Sequence, residues 1–170
     1  GTLIKRKYPS ALVQAVNDAI GGGDFEINYV GSGKESKRIM EMAERKGCEK
    51  KVRLLGRVSR EEVRKMMDRN DVFVMISRNE AYGLVYLEAM SRGMITIASK
   101  NEGFDGIIED GKNGFLCEAG NVAELTRVIN RIRSMNEEEL QAISVNAWKT
   151  ATALTDRNVA NAYLKSLSKT

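Results

Sequence analysis

The chain contains no histidine. That absence excludes Ser-His-Asp and Cys-His catalysis and histidine-ligated metal sites within these 170 residues. Cysteine is scarce. Cys48 and Cys117 stand far apart and no CxxC pair exists, so neither a zinc site nor a redox motif is suggested, and both read as reduced, buried thiols. No apolar run approaches the length of a membrane span, and the opening residues lack the pattern of a signal peptide. The expected setting is the cytoplasm. Aromatic residues do not interleave the basic residues concentrated between Lys34 and Arg69, as a single-strand nucleic-acid platform would require, so no nucleic-acid partner is expected. The basic stretch reads either as a solvated pair of helices or as an attractant for an anionic substrate or an acidic membrane surface.

What is present is an ordinary globular composition, 42% hydrophobic and 29% charged with a net charge of +4, and a length that fits one domain spanning residues 1–170. The chain opens at Gly1 without a methionine, and Thr2-Leu3-Ile4 reads as the end of a strand, which predicts a piece of a longer protein.

Strands and helices alternate. Leu3-Ile4 closes a first strand. Apolar residues at Leu12, Val13, Val16 and Ile20 give residues 10–20 helical spacing, broken by Gly21-Gly22-Gly23. Residues 25–30 form a second strand, residues 34–46 a helix with Gly47 as its C-terminal cap, and residues 52–55 a third strand. Ser59 starts a helix with Glu62 completing a capping box, running to about Arg69. Residues 71–76 form a fourth strand, apolar after its first residue, followed by a short helix at 83–91 and a fifth strand at 94–98. A short strand at 115–117 follows. Asn121 with Glu124, and Asn136 with Glu139, open two more helices, and Thr155 caps a last one. Strands apolar on both faces and separated by helices predict an α/β fold: a Rossmann-like, doubly wound parallel sheet. Ligands in such folds bind beyond the carboxyl ends of the strands.

Two motifs are decoys. Gly31-Ser32-Gly33 begins a dinucleotide fingerprint, but Ser36 holds the place of its third glycine. Gly106 to Asn113 is one residue from a phosphate-binding loop, but Asn113 cannot replace the hydroxyl that ligates magnesium, and a strand follows instead of a helix.

The functional constellation is the segment 79–93, NEAYGLVYLEAMSRG, directly after the fourth strand. Glu80 lies in the loop before the helix. Glu88 lies inside it, among Leu84, Val85, Leu87, Ala89 and Met90, so the helix is expected to be largely buried. A carboxylate there needs hydrogen bonds, from a nearby arginine or backbone amide or from the hydroxyls of a ligand. Gly83 permits close approach of a ligand, and the free N–H groups near Gly83, Leu84 and Val85 form an anion site. A phosphate between two carboxylates that can hold diols describes a sugar nucleotide.

The spacing of Glu80 and Glu88, with Tyr82-Gly83-Leu84 between and Ala89-Met90 after, resembles the signature of family-four retaining GT-B glycosyltransferases. GTLIKRKYP, Gly31-Ser32-Gly33, LLGRVSREEV, the strand at 95–98 and IIEDGKNGFL also match the C-terminal, donor-binding domain of that family. The resemblance implies a retaining hexosyltransferase that moves a sugar from a UDP- or GDP-linked donor to an acceptor such as a growing polysaccharide or a lipid-linked glycan. It implies no metal, and no acidic cluster in the sequence suggests one. The acceptor site would lie in an N-terminal domain absent from this chain, which alone would be inactive. Peripheral contact of the full-length protein with the inner face of a membrane fits such acceptors. By the same resemblance, Glu80 contacts the donor sugar and Lys7 the diphosphate, as the catalytic pair. Glu88 holds the ribose, and backbone amides of Ala81, Tyr82, Gly83 and Leu84 receive sugar and diphosphate. The loops after Gly31 and Gly56 cradle the base, with Gly31, Gly33, Arg57 and Val58 lining it.

Two departures from the family pattern stand out. Thr2 holds the place of an arginine that pairs with the diphosphate, unless Lys5 or Arg6 substitutes. In the loop after the fifth strand, Glu102 stands for a glycine and Gly106 for a glutamate. Two other readings remain open, a non-catalytic sugar-nucleotide-binding module and a GT-B-related epimerase.

Overall fold

A computed structural model of the chain describes residues 1–80 and 83–154. The strands are β1 (Ile27–Tyr29), β2 (Val52–Leu54), β3 (Val72–Met75), β4 (Ile95–Ser99) and β5 (Phe115–Cys117). The helices are α1 (Pro9–Ile20), α2 (Ser36–Arg45), α3 (Arg60–Met67), α4 (Leu84–Met90), α5 (Val122–Ser134) and α6 (Glu137–Ala153). Every pairing is parallel: β1 beside β2, and β3, β4 and β5 in that order. This is the alternating α/β architecture expected, with all carboxyl ends of each sheet on one edge.

The expected single sheet is divided in two, because Leu3 and Ile4 do not form a strand. The first seven residues lie between the two sheets instead. The Leu3 amide donates to the Ser32 carbonyl at 3.0 Å and the Leu3 carbonyl accepts from Glu35 at 3.2 Å. The chain then turns through a 3-10 helix at Lys5–Lys7, whose Arg6 carbonyl accepts from the Arg78 amide at 2.8 Å. Glycines 31 and 33 make this approach possible. A Cβ on Gly31 would lie 1.6 Å from the Gly1 carbonyl oxygen, and one on Gly33 would lie 2.1 Å from that of Leu3. Next to this irregular segment, β3 is only half-buried along its length, whereas β4 is buried at every position.

Local signals set several boundaries. Ser59 and Glu62 form the reciprocal capping box at α3, which ends at Met67, two residues before the expected Arg69. Asn136 and Glu139 form another at α6, and the Asn121 side chain accepts from the Glu124 amide at α5. Gly47 follows α2 in the left-handed region, as a helix terminator requires. The cap assigned to Thr155 lies outside the described residues. Charges on the basic stretch are largely solvated, several of them in exposed pairs such as Lys37 with Glu41 and Lys65 with Glu61. Pairs of that kind contribute little to stability.

Ile97, Phe115, Leu125 and Ile132 anchor the core between the larger sheet and the α1–α5 layer. Ile39, Val13, Ile27 and Val52 fill a second cluster around the smaller sheet. Both cysteines are free and buried. Burial pushes the Cys117 thiol up to about 12, with the Glu124 charge adding to it, and burial raises that of Cys48 as well. Neither thiol should react with a disulfide reagent at pH 8 in the folded chain, and both should react in denaturant. A thiol assay with and without denaturant checks this.

Candidate functional site

Hydrogen bonds link the carboxyl ends of four strands into one row. Beyond β1 and β2, the Gly31 amide donates to the Gly56 carbonyl at 2.6 Å, so the loops carrying Gly31, Gly33, Arg57 and Val58 are adjacent. Residues 1–3 abut the first of these loops. The turn Lys5–Lys7 continues the row and meets the loop after β3 through Arg6. The Arg6 Nη1 donates to the carbonyls of Arg78 at 3.2 Å and Asn79 at 3.0 Å, and lies 3.5 Å from the Glu80 Oε2. The loop after β4 completes the row. The Glu80 amide donates to the Glu102 Oε2 at 2.9 Å, and the Gly103 amide donates to the Glu80 carbonyl at 2.8 Å.

Glu80 is therefore fixed from two sides, by its own backbone pinned to the β4 loop and by the guanidinium of Arg6. Its side chain is only 17% exposed. Its Oε2 is buried and has no hydrogen-bond partner among the described residues. An unsatisfied buried carboxylate oxygen is costly and signals a strained site or an absent ligand. Lys7 follows Arg6 on the same turn, half-buried, with its Nζ beside Gly1.

Helix α4 starts at Gly83, which holds a left-handed conformation at φ +50. A Cβ there would lie 2.4 Å from the Tyr86 ring. That ring is locked: its hydroxyl donates to the Met75 carbonyl at 2.5 Å, Phe73 meets it edge-on and Phe104 packs at 4.8 Å. Burial raises the Tyr86 phenol well above its usual range, and the nearby charges of Glu80 and Glu102 push it the same way.

The expectation of a largely buried α4 is wrong for the face that carries Glu88. Leu84 is 66% exposed and Glu88 is exposed one turn later, on the same stripe. Tyr86, Ala89 and Met90 form the buried side. The Glu88 carboxylate makes no hydrogen bond or ion pair with the described residues, so none of them supplies the internal arginine or amide considered for it. Ala81 and Tyr82 lie outside the described residues. The Arg6 Nη1 is turned to residues 78–80. The functional parts that the sequence did not single out are Arg6 and Glu102 as partners of Glu80. The oddity of Glu102 in a glycine position was their one signal.

The fold and this edge define a doubly wound α/β domain whose loops after the strands gather along one edge, where such folds bind ligands. The family model described as glycosyl transferases group 1 matches residues 1–150, and the chain belongs to that family. An uncharacterized glycosyltransferase of Methanocaldococcus jannaschii is 32% identical over 141 residues, 83% of this chain and 38% of the relative. The N-acetyl-alpha-D-glucosaminyl L-malate synthase of Bacillus anthracis is 31% identical over 137 residues, 80% of this chain and 35% of the relative. The crystal structure of Anabaena HepE in complex with UDP matches at a TM-score of 0.85 and 25% identity, covering 100% of this chain and 47% of that one. The chain thus spans between a third and a half of these relatives. Its Rossmann-like fold is that of the donor-side, C-terminal domain of GT-B glycosyltransferases. Among the described residues, no helix is long and apolar enough to cross a membrane.

Proposed function

We propose that residues 1–170 form one donor-binding domain, which holds a nucleoside-diphosphate sugar at the carboxyl edge of its strands. The observation that carries this reading is the Glu80 side chain, largely buried and oriented by Arg6, with its Oε2 lacking a hydrogen-bond partner among the described residues, at the junction of the Lys7 turn and α4. Glu80 receives hydroxyls of the sugar. Lys7 and the amides from Ala81 to Leu84 take the sugar and diphosphate, Glu88 takes the ribose, and the adjoining loops at Gly31, Gly33, Arg57 and Val58 take the base. Departure of the nucleoside diphosphate builds negative charge on its phosphates, which Lys7 and these amides stabilise electrostatically. UDP or GDP is the carrier, with no metal in the scheme. The UDP complex of Anabaena HepE supports the uridine alternative.

In the whole protein, an N-terminal domain supplies the acceptor, a growing polysaccharide or a lipid-linked glycan, and the sugar is transferred with retention by a cytoplasmic enzyme at the inner face of a membrane. Thr2, exposed where the family pattern has an arginine, favours a second reading, a non-catalytic sugar-nucleotide-binding module. Turnover by the full-length protein separates the two. The donor reading is tested by thermal shift with UDP-, GDP- and ADP-sugars: one nucleotide class should raise the unfolding temperature, and no response to any of the three would contradict it.

The exposure of Glu88 sharpens its expected behaviour. Glu88→Ala should leave the unfolding temperature unchanged and weaken free-nucleotide binding by about tenfold, the scale of one lost charged hydrogen bond. Calorimetry and a melting curve on the same sample check both parts.

A further inference from the structure

The Arg6 side chain turns one nitrogen to the loop that carries Glu80. That nitrogen, Nη1, meets the carbonyls of Arg78 and Asn79 at 3.2 and 3.0 Å. A guanidinium Nη carries two N–H groups, so these two acceptors use both. The Glu80 Oε2, 3.5 Å from the same nitrogen, is attracted by the charge without receiving a hydrogen bond. The carboxylate is thereby oriented by the guanidinium without receiving a hydrogen bond from it. The backbone repeats the link, since the Arg78 amide donates to the Arg6 carbonyl at 2.8 Å. Asn79, whose carbonyl is one of the two gripped and which directly precedes Glu80, adopts the left-handed φ +57. From the other side, Glu102 accepts from the Glu80 amide at 2.9 Å.

We propose that Arg6 is a positioning residue for donor recognition: it holds the Glu80 loop in its sugar-binding conformation. This rests on the donor-site reading above. Arg6 acts through Glu80 and touches neither the diphosphate nor the base. The Glu80 carboxylate, with Oε2 turned to Arg6, receives the sugar hydroxyl, so Arg6 bears on the sugar part of the ligand.

The test is a set of calorimetric titrations on the parent, Arg6→Ala, Arg6→Lys, Glu80→Ala and the Arg6→Ala/Glu80→Ala double variant. The ligands are UDP with UDP-glucose, and GDP with GDP-mannose. Melting curves establish that each variant is folded, which the 43% exposure of the Arg6 side chain favours. The expected result in Arg6→Ala is unchanged affinity for the free nucleotide and roughly tenfold weaker binding of the sugar nucleotide, the scale of one charged hydrogen bond. Arg6→Lys, with the charge but without the fork, should recover part of the loss. In the Glu80→Ala background, Arg6→Ala should cost nothing further, because its target is gone. Equal losses for nucleotide and sugar nucleotide, additive losses in the double variant, or no loss would each overturn the proposal. A parent that binds none of the four ligands would contradict the donor-site reading itself, and the role of Arg6 would fall with it. A parent that binds the nucleotides but gains nothing from the sugar would remove the role of Glu80, and with it that of Arg6, while leaving the nucleotide site standing.

Discussion

Gly83→Ala should destabilise the chain by about 2–5 kcal/mol and abolish detectable donor binding. The left-handed conformation at φ +50 costs a residue with a Cβ about 1–2 kcal/mol. The new methyl would also lie 2.4 Å from the Tyr86 ring, and overpacking of a filled site adds about 1–3 kcal/mol. Tyr86 cannot yield cheaply. Its hydroxyl is bonded to the Met75 carbonyl and its ring is held between Phe73 and Phe104. Any movement of the ring displaces the start of α4 and the loop after β4 together, which is where Glu80 is anchored. Denaturant unfolding measures the first effect and calorimetry the second. An unchanged midpoint would mean that the close approach of Gly83 to Tyr86 is not a constraint on the fold.

The legible part of this structure was local. Capping at Ser59/Glu62, Asn121/Glu124 and Asn136/Glu139 depends on groups three residues apart, and each is where the sequence places it. The alternation of apolar strands with helices was equally readable, since it reflects burial against both faces of a sheet. Errors came where distant partners decide. Leu3 and Ile4 have strand composition, but their bonding is set by the loop after β1, about thirty residues on, where Gly31 and Gly33 let the backbone in too closely for a regular ladder. Glu88 was misread because its apolar neighbours were counted without regard to helical face: Leu84, one turn before it, is itself exposed. The grip of Arg6 on Arg78 and Asn79 joins residues 72 and 73 apart in sequence, and no short motif encodes it.

Glu80→Ala should separate the sugar from the nucleotide. Glu80 lies before α4 with its carboxylate largely buried, and its loss removes a charged hydrogen bond to the sugar worth roughly 1.5–3 kcal/mol. That corresponds to about one to two powers of ten in affinity for the intact sugar nucleotide. Free UDP or GDP should bind the variant as well as the parent. In the full-length enzyme, turnover should fall further if the contact strengthens as the glycosidic bond breaks. Paired titrations with nucleotide and sugar nucleotide check this, and equal losses for both would mean that Glu80 reads the nucleotide or merely holds its loop.

The central claim is that a nucleoside diphosphate sits along the carboxyl edge of the strands. Amide chemical shifts recorded while UDP, GDP and ADP are added in turn test it most directly. One nucleotide should shift, saturably, the amides of Lys7, Gly31, Gly33, Arg57, Val58, Gly83, Leu84 and Glu88, and leave the rest of the sheet unmoved. Shifts confined to the opposite edge, in the hollow lined by Asp68, Asp71, Arg92 and Gln141, would contradict the account, as would the absence of saturable shifts with all three.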